Sequence, residues 1–139
     1  MTDTNPKARY PRDASSLILV RHAETSPEIL MGRRPQRQAF MPDVYVFPGG
    51  AVDPRDGYAE SANDYHPAVQ QALTRHCTVH RARALGLAAI RETYEETGLF
   101  FGVADQTFSG KAPAGWGAFA DAGIKPALGA LGFIARAIT

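Results

Sequence analysis

Three glutamates near the middle of the chain, Glu92, Glu95 and Glu96, have the residue type and spacing of a cation site. They stand at positions i, i+3 and i+4, which places their side chains on one face of an α-helix. Carboxylates this close repel one another, and a hard divalent cation such as Mg²⁺ would turn that repulsion into coordination by oxygen. The alternative is an acidic helix face turned to solvent, which is the more common origin of a charge run. The three residues alone leave both interpretations open.

The element that must position these glutamates is a predicted helix over residues 84–97. Leu87, Ile90 and Tyr94 fall on the side opposite the acids and suit a hydrophobic core. Gly98 follows the last turn, where glycine readily takes the left-handed conformation that ends a helix. The segment is therefore predicted to be amphipathic, with one apolar and one acidic face.

Short apolar runs before this helix predict β-strands, because they are rich in β-branched residues and are bounded by turn residues. The candidates are residues 16–20, 28–32 and 44–47, the first two joined as a hairpin by a turn at 23–27. Pro48, Gly49 and Gly50 are expected to stop the third strand and to begin a loop that reaches Asp56. These three candidate strands all precede the acidic helix in the chain.

Three further elements are predicted elsewhere in the chain. A helix is expected to start near Pro67, since proline suits the first turn. Trp116 and Phe119 are expected to anchor a short helix as core residues, although they could also stack on a base. The last expected element is a strand over residues 131–138.

The residues around the acidic helix resemble the Nudix box. That box has a glycine, then a glutamate six residues later, then the pattern Arg-Glu-x-x-Glu-Glu-x-Gly followed by an apolar residue. Gly50 matches its first glycine, and Arg91 to Leu99 match its second half in register. Two positions depart from the pattern: Asp56 stands where the box has its first glutamate, and Thr93 stands where it has an aliphatic residue. The match is far more specific than the acids alone.

The box is interrupted by an insertion, which we place at residues 57–83. One branch of the Nudix family, related to the peroxisomal coenzyme A diphosphatase, also carries a long insertion inside its box. The insertion is expected to project as a loop plus a helix and to leave the strands uninterrupted. Coenzyme A or an acyl-CoA is the favoured substrate on this resemblance, although the coenzyme A signature upstream of Phe47 is not matched cleanly.

The resemblance implies an α/β fold of the Nudix type, with a mixed sheet sandwiched between helices. It also implies a Mg²⁺-dependent hydrolase, with Mn²⁺ as the alternative ion, that cleaves the diphosphate linkage of a nucleoside-diphosphate-linked substrate. By that resemblance Glu92, Glu95 and Glu96 would hold the metal, and Glu92 would bind it or orient the attacking water. Arg91 would hold the glutamates in position, and Gly49 and Gly50 would let the backbone pass close to the site. Which carboxylate acts as the base stays open.

Composition sets limits on the class of protein. The net charge of +1 gives no nucleic-acid signal, and the single cysteine, Cys77, excludes an internal disulfide and fits a reducing compartment. No apolar run approaches the length that spans a bilayer, and the polar N-terminus does not have the pattern of a signal peptide. We therefore predict a soluble, cytoplasmic protein with a small nucleotide-type substrate and no nucleic-acid or membrane partner.

Other interpretations of the sequence stay open. The chain could be a catalytically inactive Nudix-like module that binds a nucleotide or a partner. The residues around His22 resemble the start of a histidine phosphatase site, but no histidine follows position 80. His76, Cys77 and His80 lie close together in sequence but lack evident further zinc ligands.

The domain is expected to comprise residues 14–139 after a flexible N-terminal arm at 1–13. Only a short stretch follows Gly98, so the C-terminal strands and helix of a full Nudix domain are expected to be missing. Exposed strand edges and apolar surface would then favour association, for instance as a homodimer.

Overall fold

The computed structural model describes residues 11–37, 43–105, 107 and 111–138. A long helix lies against short strands on one side and a small aromatic core on another. The strands are β1 (Ala14–Ser16), β2 (Val20–Arg21), β3 (Glu28–Ile29), β4 (Gly32–Arg33), β5 (Tyr45–Val46), β6 (Gly49–Ala51), β7 (Gly102–Ala104) and β8 (Ile124–Pro126). The helices are α1 (Pro67–Leu73), α2 (Val79–Thr97) and α3 (Gly117–Ala122), with 3₁₀ turns at Asp56–Tyr58 and Leu128–Ala130.

Within the described ranges, the strands pair as four antiparallel ladders of two strands each: β1 with β6, β2 with β3, β4 with β5 and β7 with β8. Backbone hydrogen bonds extend the first two ladders. Leu17 N–H donates to the carbonyl of Pro48 beside the β1–β6 pair, and Leu30 N–H donates to the carbonyl of Leu19 beside the β2–β3 pair. The predicted hairpin is confirmed by the β2–β3 pair. The single strand predicted over 16–20 is instead divided into the end of β1 and the start of β2.

The Gly49–Gly50 pair lies in a strand, so the prediction that the loop begins there is wrong. Both glycines belong to β6 and pair with Ser16 and Ser15 of β1. A Cβ at Gly49 would collide with the carbonyl oxygen of Ser15 and the Cα of Ser16. Glycine is therefore required here for the close approach of two strands, and not for a turn.

The acidic helix, α2, is longer at its start than predicted. It begins at Val79, where the side chain of Thr78 accepts a hydrogen bond from Arg81 N–H at 3.2 Å. This threonine cap satisfies one of the unpaired amides of the first turn. The predicted end is confirmed, since Gly98 takes the left-handed conformation with φ of 74°. Leu87 and Ile90 are fully buried, as their side of the helix predicted.

The hydrophobic core combines residues that are far apart in the sequence and belong to different elements. It consists of Ala59, Tyr65, Leu87, Ile90, Trp116, Phe119 and Leu128. Tyr94 and Phe100 stack at 4.4 Å between ring centres and both contact the ring of Phe119. Trp116 and Phe119 are core residues beside α3, as the sequence predicted.

The inserted segment at 57–83 is not a detached projection. It contains α1, which begins at Pro67 as predicted, and its only strand-type pairing is an isolated bridge between Asn63 and Ala127. However, Ala59 and Tyr65 are buried in the core, and the Tyr65 hydroxyl donates to the carbonyl of Ala82 at 2.8 Å. Burial raises the pKa of that hydroxyl to about 12. Removing the whole segment would therefore remove part of the core.

The strand predicted over 131–138 is not formed. These residues take no regular structure, and Ile134 and Ile138 are 79% and 68% exposed. Their apolar character predicted a strand, but a strand also needs a neighbouring backbone edge to bond with. Among the described residues, this segment has no such partner.

Asp13, which lies at the end of the predicted flexible arm, is tied to the fold. Residues 1–10 of that arm lie outside the described residues. The Asp13 carboxylate accepts two hydrogen bonds of 2.5 Å from Arg81 of α2, and its carbonyl accepts one from Val52 N–H. The hydrogen bonds from Arg81 lower the pKa of Asp13 below its ordinary value, and the positive charges of Arg81 and Arg136 add to this effect. The pair fastens the start of β1 to α2.

The Asp13–Arg81 pair predicts a specific pH dependence. A carboxyl group whose pKa is lowered in the folded state stabilises the fold above its unfolded pKa of about 3.9, and this stabilisation is lost as the pH falls through the folded value. We expect Asp13→Asn to reduce the acid-side decline in the free energy of unfolding below about pH 4. Urea unfolding at a series of pH values measures this decline. Asp121→Asn, which changes an exposed aspartate of α3, should keep the wild-type decline. Equal declines in Asp13→Asn and wild type would contradict the prediction.

Candidate functional site

A buried ion pair joins the 3₁₀ turn before the insertion to α2. Arg91 donates to the carboxylate of Asp56 from Nε at 2.8 Å and from Nη2 at 3.1 Å. Asp56 is completely buried and accepts two further hydrogen bonds, from Trp116 Nε1 at 3.0 Å and from Asp53 N–H at 2.9 Å. Charge-assisted, two-point bonds of this kind fix both distance and orientation. The Arg91 guanidinium is thus fixed in position and orientation relative to Asp56.

The other edge of the Arg91 guanidinium faces the acidic residues of α2. Its Nη1 donates to Glu92 at 2.8 Å and to both carboxylate oxygens of Glu95 at 3.1 Å, while Nη2 also donates to the carbonyl of Ala51 at 3.0 Å. The hydrogen bond with Asp56 raises the pKa of Arg91 most, and those with Glu95 and Glu92 add to it. Arg91 therefore remains charged and holds two of the three glutamates together.

The glycines of β6 meet the same glutamates from the other side. A Cβ at Gly50 would lie 2.5 Å from the Glu92 carboxylate. Gly49 N–H donates to Glu96 Oε2 at 3.3 Å. The absence of side chains on β6 is thus what allows the strand backbone to approach the carboxylates. Glu92 and Glu96 thus lie against β6, and Glu95 is held beside Glu92 by Arg91.

The site fits a hard divalent cation in the type of its donors. Its three acids offer carboxylate oxygens, which Mg²⁺ and Mn²⁺ both accept, and the Glu95 side chain is 45% exposed. In the part of the chain that the structure describes, no three acidic, histidine or cysteine side chains are arranged as a ready set of ligands. The carboxylates of Glu92 and Glu95 accept hydrogen bonds from Arg91. Metal ligation by Glu92, Glu95 and Glu96 stays a prediction.

Asp56 and Trp116 contribute to the site in ways that the sequence did not predict. Asp56 was aligned with the first glutamate of the box, but it is completely buried and its carboxylate is bonded to Arg91. Trp116 was predicted as a core anchor, and its indole N–H also bonds Asp56. Asp56 could be picked out from the sequence because it stands six residues after Gly50. Nothing in the sequence indicates that Trp116 contacts Asp56.

The other sequence candidates do not join the site. His22 lies at the exposed tip of the β2–β3 hairpin with φ of 54°. His80 packs against the ring of Tyr58 at 4.9 Å, and Cys77 Sγ donates to the carbonyl of Leu73. Within the described ranges, they belong to no group of potential metal ligands. The described residues therefore offer no support for the zinc interpretation.

Comparisons with known proteins give two matches, both to Nudix proteins by name. No protein-family model matches the chain. The acyl-coenzyme A diphosphatase NUDT19 of Gallus gallus is 39% identical over 66 residues, which cover 40% of this chain and 18% of that protein. The crystal structure of a Nudix hydrolase from Alicyclobacillus acidocaldarius superposes with a TM-score of 0.57 and 25% identity over 85% of this chain. The chain is similar to Nudix hydrolases in sequence over part of its length and in fold. Its α/β architecture is accordingly of the Nudix type, although its strands form separate two-stranded ladders.

Both Nudix relatives are longer than this chain. The chain spans about a fifth of the length of the Gallus gallus protein and 57% of the Alicyclobacillus acidocaldarius structure. Among the described residues, no helix has both the length and the apolar character needed to cross a membrane.

Proposed function

We propose that this chain carries the catalytic site of a Mg²⁺-dependent hydrolase that cleaves the diphosphate linkage of a nucleoside-diphosphate-linked substrate. The observation that carries the proposal is the position of Arg91, which holds Glu92 and Glu95 side by side while Glu92 lies against Gly50. The similarity to the Gallus gallus protein, which is an acyl-coenzyme A diphosphatase, supports the same reaction class.

Each residue of the site has a proposed task in this reaction. Glu92, Glu95 and Glu96 would hold Mg²⁺ or Mn²⁺. The bound ion would neutralise charge on the diphosphate and lower the pKa of a water molecule. Arg91 would keep Glu92 and Glu95 in place, and Asp56 would keep Arg91 in place. The base that deprotonates the attacking water would be one of the three glutamates.

Gly49 and Gly50 would serve as the backbone wall of the site. Their missing side chains let β6 lie directly against Glu92 and Glu96. Coenzyme A or an acyl-CoA is the substrate that we favour, because the Gallus gallus relative is an acyl-coenzyme A diphosphatase.

A second candidate function is nucleotide binding without turnover. It is favoured by the engagement of Glu92 and Glu95 with Arg91 and by the lack of a ready set of three ligands among the described residues. The two functions share a ligand class, so a binding measurement alone does not separate them.

A metal-dependent substrate screen tests the proposal. The chain is incubated with CoA, ADP-ribose, NADH or dinucleoside polyphosphates, with and without Mg²⁺, and the products are identified by mass spectrometry. We expect cleavage at the diphosphate in at least one reaction, and its loss when EDTA is added. Saturable nucleotide binding without any product would favour the second candidate. Phosphate release that persists in EDTA and disappears in His22→Ala would replace both with a histidine phosphatase.

A further inference from the structure

A cavity of about 550 Å³ lies between the start of β1, the helices α1 and α2, and the C-terminal segment. This volume is within the range of about 300–1,000 Å³ that is usual for small-molecule sites. None of the three glutamates of the candidate site lines the cavity. Its α2 wall includes Leu85 and Ala89, which precede Glu92 on the helix. The cavity is therefore a separate feature of the molecule.

Part of the cavity wall is apolar. Leu17, Val69, Leu73, Leu85 and Leu131 lie along it, and Phe133 and Ile138 belong to the C-terminal segment that borders the cavity. Apolar walls of this kind favour the burial of a hydrocarbon chain, because each buried CH₂ group leaves water. The exposed Ile138 would gain cover from such a ligand.

Charged residues of the cavity gather around Asp13 and carry an excess of positive charge. Arg81 is bonded to Asp13 through two hydrogen bonds, and the charge of Arg136 acts on the same carboxylate. Arg12 lines the cavity next to Asp13 in sequence. Three arginines and one aspartate thus border this cavity, which favours an anionic group.

We propose that this cavity binds an amphipathic anion, a hydrocarbon chain that ends in a carboxylate or a phosphate. The chain lies along the leucines of α1 and α2, and the anionic end meets Arg136 and Arg12 near the Asp13–Arg81 pair. This binding is independent of the proposed hydrolase activity, since it involves none of the glutamates.

Calorimetric titration of the full chain with decanoate tests the proposal, together with mapping of amide chemical shifts. We expect saturable binding of one decanoate below its micelle concentration, with shifts at Leu73 and Leu85. Butyrate, which is six CH₂ groups shorter, should bind at least about tenfold more weakly. The neutral 1-decanol should also bind more weakly, because it lacks the charge that the arginines attract. Decyl phosphate should bind like decanoate.

Matched variants separate the apolar wall from the charged end. Leu85→Gln should weaken decanoate binding about tenfold, whereas Leu99→Gln, the same change at an exposed residue outside the cavity, should not. Arg136→Gln should weaken it about threefold, and Arg75→Gln, at an exposed residue outside the cavity, should leave it unchanged.

Several results would overturn the proposal. These are binding only above the micelle concentration, equal affinity for decanoate and 1-decanol, and shifts confined to residues outside the cavity. Light scattering that shows dimers dissociated by Leu85→Gln would assign the cavity walls to an interface between two copies. Circular dichroism of each variant establishes that the helices remain folded, so a loss of binding reports on the cavity.

Discussion

Glu95→Gln is expected to lower Mg²⁺-dependent diphosphate hydrolysis by about a hundredfold or more, because it removes one of the three proposed metal-binding carboxylates. The side chain of Glu95 is 45% exposed and belongs to no core contact, so the fold should survive the change. Glutamine also keeps one oxygen that can accept from Arg91 Nη1. The loss should therefore appear in kcat while the unfolding midpoint in urea stays close to that of the wild type.

The measurement compares steady-state hydrolysis of the substrate found in the screen across a Mg²⁺ titration. Glu24→Gln is the matched control, since Glu24 is an exposed glutamate in the turn of the β2–β3 hairpin. It should keep full activity and the same Mg²⁺ dependence. Wild-type turnover in Glu95→Gln would remove this residue from the metal site.

Asp56→Ala is expected to lower the free energy of unfolding by about 3–5 kcal/mol, which is the usual effect of removing one partner of a buried ion pair. The change leaves Arg91 Nε, Trp116 Nε1 and the Asp53 amide without their acceptor in a buried place. A donor that is removed from water and has no acceptor in the protein lowers the stability of the folded state by its desolvation free energy. For a domain of ordinary stability, of about 5–15 kcal/mol, this is a large fraction of the total.

Urea unfolding followed by circular dichroism and by the fluorescence of Trp116, the single tryptophan, measures the effect. Asp56→Asn keeps the size and some hydrogen bonding of the side chain and should lose less, which separates the charge from the packing. The control is Asp53→Asn, at a carboxylate whose partner Arg55 is exposed, and it should change the stability little. If Asp56→Ala and Asp53→Asn have the same midpoint of urea unfolding, the buried Asp56–Arg91 pair does not stabilise the fold.

The sequence predicted the local parts of this molecule well, and the long-range contacts poorly. Helix α2, its end at Gly98 and the hairpin between β2 and β3 follow from periodicity and turn residues that lie within a few positions of one another. The apolar run at 131–138 failed to predict a strand, because pairing depends on a neighbouring edge that the local sequence does not describe.

The candidate site was predicted to a similar extent. The grouping of Glu92, Glu95 and Glu96 on one face follows from helix geometry alone. The structure places Glu92 and Glu96 against the β6 glycines, and Arg91 holds Glu95 beside Glu92. The contact between Trp116 and Asp56 joins residues 60 positions apart, and neither residue type alone indicates the other. The strand at Gly49 was also missed, because glycine usually indicates a turn and its role here depends on the approach of β1.

The Asp56–Arg91 pair joins positions 35 residues apart, and it therefore closes the base of the inserted segment. The entropy of closing a flexible loop rises only with the logarithm of its length, so doubling such a loop costs about 0.6 kcal/mol. Once its base is fixed, the exposed turn between α1 and α2 at Arg75 and His76 can lengthen without moving the carboxylates. For protein engineering, this turn is an insertion point where an epitope or a reporter domain can be fused while Tyr65 and the rest of the core stay in place.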